Sequence, residues 1–199
     1  MRSVFFILAT MAIVGGCLQV EDVASLRPEL EQSSVSRTTV SSALVEVPSL
    51  SAIALLGQAG QNGPVITFSS SDRKTISLQR GVLVRTAGFG HDLFYSDPHP
   101  TLAAIAAKSE KSYRRTYSFL TETDRITSVT VSCSMQFAGI ESTTVMGQQR
   151  SLSKSLETCS GKDVSFENEY WSDSSGALQK SKEMVSPDLG YAIIDTASR

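Results

Sequence analysis

Two stretches of the 199-residue chain carry residue types that could do chemistry. In Gly88-Phe89-Gly90-His91-Asp92 an imidazole stands next to a carboxylate, the pairing that activates a serine hydroxyl in hydrolases. The spacing argues against that use. Neighbours on an extended chain point to opposite faces, so Asp92 is badly placed to orient His91, and no Gly-x-Ser-x-Gly elbow presents a nucleophile. The two glycines predict a tight turn instead, with positive φ at Gly88 and Gly90 and with Asp92 accepting hydrogen bonds from backbone amides. In the second stretch, Asn168, Tyr170, Trp171 and Asp173 join aromatic faces, which pack on the apolar side of a sugar ring, to an amide and a carboxylate that take its hydroxyls. Tyr170 and Trp171 are consecutive, so on a strand only one of them faces any given surface and the other is core. Trp171 therefore has two readings, a packed core residue or part of a ligand or partner surface.

Cysteine chemistry points elsewhere. Val4 to Val14 is an apolar run of signal-peptide length, too short for the ~20 residues a spanning helix needs. Arg2 precedes it and the small pair Gly15-Gly16 follows it. Val14-Gly15-Gly16-Cys17 thus resembles the bacterial lipobox, at which Cys17 is diacylated and becomes the new N-terminus after cleavage. Two or more acyl chains give lasting attachment because each buried CH₂ contributes roughly 0.8 kcal/mol and one chain alone is marginal. Leu18, where aspartate would signal retention in the inner membrane, favours the outer membrane by resemblance to enterobacterial lipoproteins. Cys133 and Cys159 remain, an even pair in an exported chain, and predict a disulfide. With neither CxxC spacing nor a neighbouring histidine, they do not form a metal set, and no other motif calls for a metal or cofactor.

Composition limits the partners. The chain carries 18 basic and 20 acidic residues, a net charge of −2 that becomes more negative once Arg2 leaves with the leader. Lys74 and Arg85 belong to no sustained basic stripe, so nothing draws the protein to nucleic acid. Residues 1–16 read as the lipoprotein signal, 17–42 as the acylated N-terminus and a mobile tether rich in Ser, Glu and Thr, with at most a helical turn around Val23 to Leu30. Residues 43–199 read as one β-rich periplasmic domain.

The elements that position these residues follow from periodicity. Leu44, Val45 and Val47, then Ile53, Leu55 and Leu56, and after the turn Gln61-Asn62-Gly63 the run Val65, Ile66 and Phe68 predict strands joined as hairpins. Ile76 and Leu78 alternate with polar residues, and Arg80-Gly81 turns the chain into Val82–Val84. Leu102, Ile105 and Ala106 fall at helical spacing after an Asp97-Pro98 stop, which predicts one short helix. Tyr113, Tyr117 and Phe119 open a long β run that bends at Gly139 and returns around Gln148 and Gln149, bringing Cys133 opposite Cys159. A last hairpin crosses Asp173-Ser174-Ser175-Gly176. The expected fold is mostly β: an antiparallel, strongly curved sheet, sandwich or partial barrel, with one short helix.

Three features together carry a family resemblance. Gly81, Leu83, Val84, Thr86, Gly88, Gly90, Asp92 and Leu93 make the first, and Tyr170, Trp171, Asp173, Gly176, Leu178 and Ser181 the second. The placement of Cys133 and Cys159 between them is the third. They resemble the YjbF/GfcB group 4 capsule lipoproteins, small outer-membrane lipoproteins encoded with exopolysaccharide or capsule export components. Three positions depart from the family pattern: Phe89 for leucine, Lys180 for an aromatic or polar residue, and Glu183 for glutamine, each expected on a solvent face. The resemblance implies a non-enzymatic accessory in polysaccharide export or assembly, anchored by Cys17 to the outer membrane and facing the periplasm. Its implied partners are an outer-membrane barrel or a periplasmic export protein, with polysaccharide as a further candidate. It carries no catalytic residues. The alternative is a lipoprotein that binds or carries a lipid or sugar chain in the curve of the sheet.

Overall fold

In the computed structural model, residues 23–35, 41–121, 123 and 125–196 are described, and Cys17 with the signal lies outside them. The first half of the domain is a run of hairpins: β1 (Ser42–Val47), β2 (Ala52–Asn62), β3 (Val65–Ser69), β4 (Thr75–Gln79) and β5 (Val82–Ala87). The short β6 (Leu93–Ser96) leads to α2 (His99–Ala107), so numbered because α1 (Val23–Val35) precedes the domain. The second half is β7 (Lys111–Leu120), β8 (Ile126–Val145), β9 (Gln148–Ser160), β10 (Ser165–Ser172), β11 (Leu178–Ser186) and β12 (Gly190–Thr196).

All twelve strands belong to one sheet in the order β5-β4-β3-β2-β1-β12-β11-β10-β9-β8-β7-β6, and every pairing is antiparallel. Its two ends, β5 and β6, lie side by side, so the sheet curls into a near-closed barrel. At this seam side chains take over from the backbone ladder. Ser96 Oγ donates to the Leu83 carbonyl (2.7 Å), and the Leu93 N–H donates to Thr86 Oγ1 (2.9 Å). The expected antiparallel β class holds, with more strands than sequence reading separated and, among the described residues, two α-helices where one was expected.

Alternation sorts the side chains as a barrel requires. Ala43, Val45 and Val47 of β1 point into the core while Leu44 and Glu46 point outward. On β10, Asn168 and Tyr170 point inward and Trp171 outward. The interior is filled by Leu56, Phe68, Ile76, Leu83, Met184 and Ile194, among others. α2 closes one end, with Ala104 and Ile105 packed on Val82, Met135 and Leu178. The Asp97 carboxylate accepts the His99 N–H (3.1 Å) just before this helix, where the sequence places a stop.

Two additions cover the outer face. Past Met135, its last residue paired to β7, β8 runs on to Val145 with β9 as its partner. A bulge at Phe137/Gly139, made possible by φ 99° at Gly139, bends this arm, and Met146-Gly147 form its tip. The arm lies over β10–β12: Met146 N–H donates to Asp195 Oδ2 (3.3 Å) and Lys180 Nζ to the Thr144 carbonyl (2.9 Å). Beside it, residues Val23–Val35 of the segment expected as a tether form α1, longer than the single turn expected around Val23 to Leu30. Arg27 reaches the buried Asp195 (3.5 Å) and Glu46 (3.9 Å), and Leu30 packs against the cluster of Leu44, Val145, Met146 and Trp171. The docking interactions come from residues distant in sequence, which local composition does not reveal.

Cys133 and Cys159 are directly opposed on β8 and β9, with Cα atoms 4.1 Å apart, and form a disulfide. The bridge spans a sequence separation of 26. On the chain-entropy model it stabilises by on the order of 3 kcal/mol. Replacing both cysteines by alanine is expected to lower the unfolding free energy by about that amount in urea, with a steeper slope as the unfolded chain loses its cross-link. An unchanged midpoint would refute a stabilising role for the bridge.

Candidate functional site

The residues singled out in sequence part company in space. Asp92 does what the turn reading requires. Its carboxylate accepts the Gly88 N–H (2.9 Å), the Phe89 N–H (3.2 Å) and the Thr86 hydroxyl (2.7 Å), with φ 91° at Gly88 and 95° at Gly90. His91 Nδ1 lies 3.4 Å from Asp188 Oδ2, while the Asp92 carboxylate is taken up by its own turn. His99, between Pro98 and Pro100, is exposed, opens α2 and contacts Asp97 Oδ1 (2.8 Å).

Asn168, Tyr170, Trp171 and Asp173 do not form one open platform. Asn168 and Tyr170 are sealed inside the barrel. Trp171 is buried on the opposite, outer face under the arm, where Nε1 donates to Glu141 (3.2 Å) and Lys154 and Lys180 lie over its ring at 4.9 and 5.9 Å. Asp173 shapes the β10–β11 turn by accepting from the Ser175 N–H (2.8 Å), the Ser175 hydroxyl (2.6 Å) and the Ala177 N–H (3.1 Å). The physical reason is the strand period: consecutive aromatics are split between two faces, and here both faces are covered.

What Asn168 and Tyr170 do join is a polar cluster in the core. Arg115 of β7, only 1% exposed, donates from Nη1 to Glu157 Oε2 (2.8 Å) and to the Tyr170 hydroxyl (3.1 Å), and from Nη2 to Ser96 Oγ (3.1 Å). Its guanidinium also lies 4.7 Å from the Tyr117 ring centroid. Glu157 of β9 accepts from Thr101 (2.6 Å), Tyr113 (2.6 Å) and Asn168 (2.7 Å) as well. Glu183 of β11 accepts the Leu83 N–H (3.0 Å), an edge donor of β5 that no strand takes, and its other oxygen lies 3.2 Å from the Tyr170 hydroxyl and 3.9 Å from Arg115. The solvent face expected for Glu183 is therefore replaced by the interior, because position 183 is in phase with the inward Ser181 and pairs with the inward Ala192.

Two carboxylates share one guanidinium in a sealed volume, and their proton affinities separate accordingly. Burial opposes the charge of Glu157, but Arg115 beside it and hydrogen bonds from Thr101, Tyr113 and Asn168 outweigh burial and hold its carboxyl below the usual range. Glu183 has fewer donors. Burial pushes it up to about 7, against the pull of Arg115 and the Leu83 N–H. Burial and the adjacent carboxylate also raise the Tyr113 and Tyr170 hydroxyls, while the tyrosines and carboxylates together hold Arg115 charged. With both acids and the guanidinium shut away from solvent, the cluster organises the core and offers a substrate no approach. The Cys133, Cys159 and Glu157 atoms also come within 4.8 Å of one another, but the sulfurs are spent in the disulfide and the carboxylate is fully engaged, so this is no metal site.

Sequence reasoning missed Arg115 and Glu157. A signal was present: Arg115 keeps the period of Tyr113, Tyr117 and Phe119, and Glu157 that of Cys159. A charge in the apolar phase of a strand marks a buried ion pair.

The comparisons extend over the same chain. A family model described as "Group 4 capsule polysaccharide lipoprotein gfcB, YjbF" matches residues 14–196. Among solved structures, the hypothetical lipoprotein YmcC from Escherichia coli (K12) is similar in fold, with a TM-score of 0.73 at 16% identity over 89% of this chain and 93% of that one. No curated protein matches in sequence.

Proposed function

The chain belongs to the group 4 capsule polysaccharide lipoprotein family, and its role is accessory rather than enzymatic; we propose that it assists polysaccharide export while anchored through acylated Cys17 in the outer membrane, facing the periplasm. The observation that carries this reading is the extent of the family match, which begins at Val14 and so takes in the Val14-Gly15-Gly16-Cys17 site. Leu18, at the position that sorts lipoproteins, supports the outer membrane. The filled interior suits a module that docks on an export protein, an outer-membrane barrel or a periplasmic component. A carrier with its cargo inside the barrel would need the space that the apolar core and the Arg115 cluster occupy.

Labelling cells with a palmitate analogue is expected to mark the wild type and not Cys17→Ser. In the same strains, Cys17→Ser is expected to reduce surface polysaccharide severalfold while polymer still accumulates inside the cell, and His91→Ala is expected to leave export intact. Normal surface polymer in an unlabelled Cys17→Ser strain would overturn the anchored accessory. Loss of export in His91→Ala at normal protein abundance would bring back an enzyme.

A further inference from the structure

An open groove of about 580 Å³ lies where the C-terminal end of α2, the Arg80-Gly81 turn and the Asp173–Gly176 turn meet. That volume is in the range of about 300–1,000 Å³ typical of small-ligand sites. Leu102, Ile105 and Leu178 floor it, and the floor is tight: a Cβ at Gly81 would sit 2.6 Å from Leu178 Cβ. Arg80 and Lys108 stand at its rim with the Ser174 and Ser175 residues.

Arg27, Lys74, Arg115, Lys154, Lys180 and Lys182 each have a carboxylate partner. Among the described residues, no carboxylate lies within ion-pair distance of Arg80 or Lys108, and both are exposed. Other cations, Arg85 and Arg114 among them, also stand apart from carboxylates, but Arg80 and Lys108 are the pair that lines this groove. Each also holds a left-handed backbone, φ 49° at Arg80 and 47° at Lys108, where glycine or asparagine is the low-cost choice. The chain is net negative, so this pair makes a local positive rim against the overall charge.

We propose that the groove binds a segment of anionic polysaccharide. Arg80 and Lys108 take the carboxylates of its sugar residues, and the aliphatic floor takes the apolar C–H faces of the rings. An open groove, unlike an enclosed cavity, leaves room for a polymer to continue beyond the site. This site rests on the export reading and names the class of polymer that reading leaves open.

The test uses the full-length acylated protein in detergent micelles and two probes, an oligogalacturonate and its fully methyl-esterified, uncharged form. The acidic oligomer is expected to bind, at least about tenfold more tightly than the ester, with affinity falling as salt rises. Arg80→Gln with Lys108→Gln is expected to weaken the acidic oligomer at least about tenfold, while Arg114→Gln, an exposed cation on β7, leaves it unchanged. Equal binding of acid and ester, full affinity in the double variant, an equal loss in Arg114→Gln, or no binding at ~1 mM oligomer would each overturn the site. None of these outcomes touches the Cys17→Ser export result, so the groove can fail while the accessory role stands.

Discussion

Arg115→Met lowers the stability of the barrel by about 3–5 kcal/mol, the scale on which removing one partner of a buried ion pair leaves an uncompensated charge. The substitution keeps a long unbranched side chain in the Arg115 space, so the loss is electrostatic rather than a cavity. Glu157, with no exposed surface, would keep the Thr101, Tyr113 and Asn168 hydrogen bonds but lose the cation that stabilises its charge. Ser96 would lose the guanidinium while still bonded to Leu83, so the damage reaches the β5/β6 seam. Urea unfolding checks the magnitude. Adding Glu157→Gln to Arg115→Met is expected to recover part of the loss, because a neutral amide can use the same donors without a buried charge. Additive losses in the double variant would show that packing, not charge, sets the cost.

The second large effect is on the pH dependence. Glu183 in the folded barrel titrates at about 7, against 4.5 for the free side chain. The native state therefore binds more protons than the unfolded state between those values, and stability falls as pH rises through that window. This stabilisation is fully present below the unfolded value and is lost above about 7, a change of about 3 kcal/mol at 1.36 kcal/mol per unit. Arg115, Glu157, Tyr117 and Tyr170 surround the group, and burial dominates among the causes. Glu157 acts in the opposite sense, its contribution being lost as pH falls through its lowered value. Glu183→Gln retains an acceptor for the Leu83 N–H and places an amide donor beside the Tyr170 hydroxyl. Its stability is expected to be nearly flat between pH 5 and 7.5, where the wild type declines. A parallel decline in both proteins would assign the proton to another group.

The strands and turns were legible in sequence because they rest on local patterns. Val45/Val47 alternation, the Arg80-Gly81 turn and the glycines around Phe89 each state their conformation within a few residues. The disulfide was legible too, since export and an even cysteine count suffice to expect it. The arm was harder: the sequence marks the bend at Gly139, but what the bend lays it against depends on Trp171, Lys180 and Asp195 far along the chain. α1 was lost for the same reason, as Arg27 and Leu30 find their partners on β1, β12 and the arm. The aromatic pair misled in a definite way. Tyr170 and Trp171 beside Asn168 resemble a sugar platform only if one face is open, and strand alternation cannot reveal that an arm covers one face while a polar core claims the other.

Every neighbouring pair in the sheet is consecutive in sequence except β1 with β12, where Ala43 lies opposite Thr196. The barrel is thus a meander whose first strand waits for its last. As the chain emerges, one edge of β1 stays open to mispairing until residues 190–196 arrive, and the entropy of closing that longest loop falls on the final step. Arg27 reaches across this late junction, to Glu46 on β1 and to Asp195 on β12. α1 can therefore clasp the barrel only after its closure, so docking of α1 distinguishes a finished molecule from one that still exposes an edge.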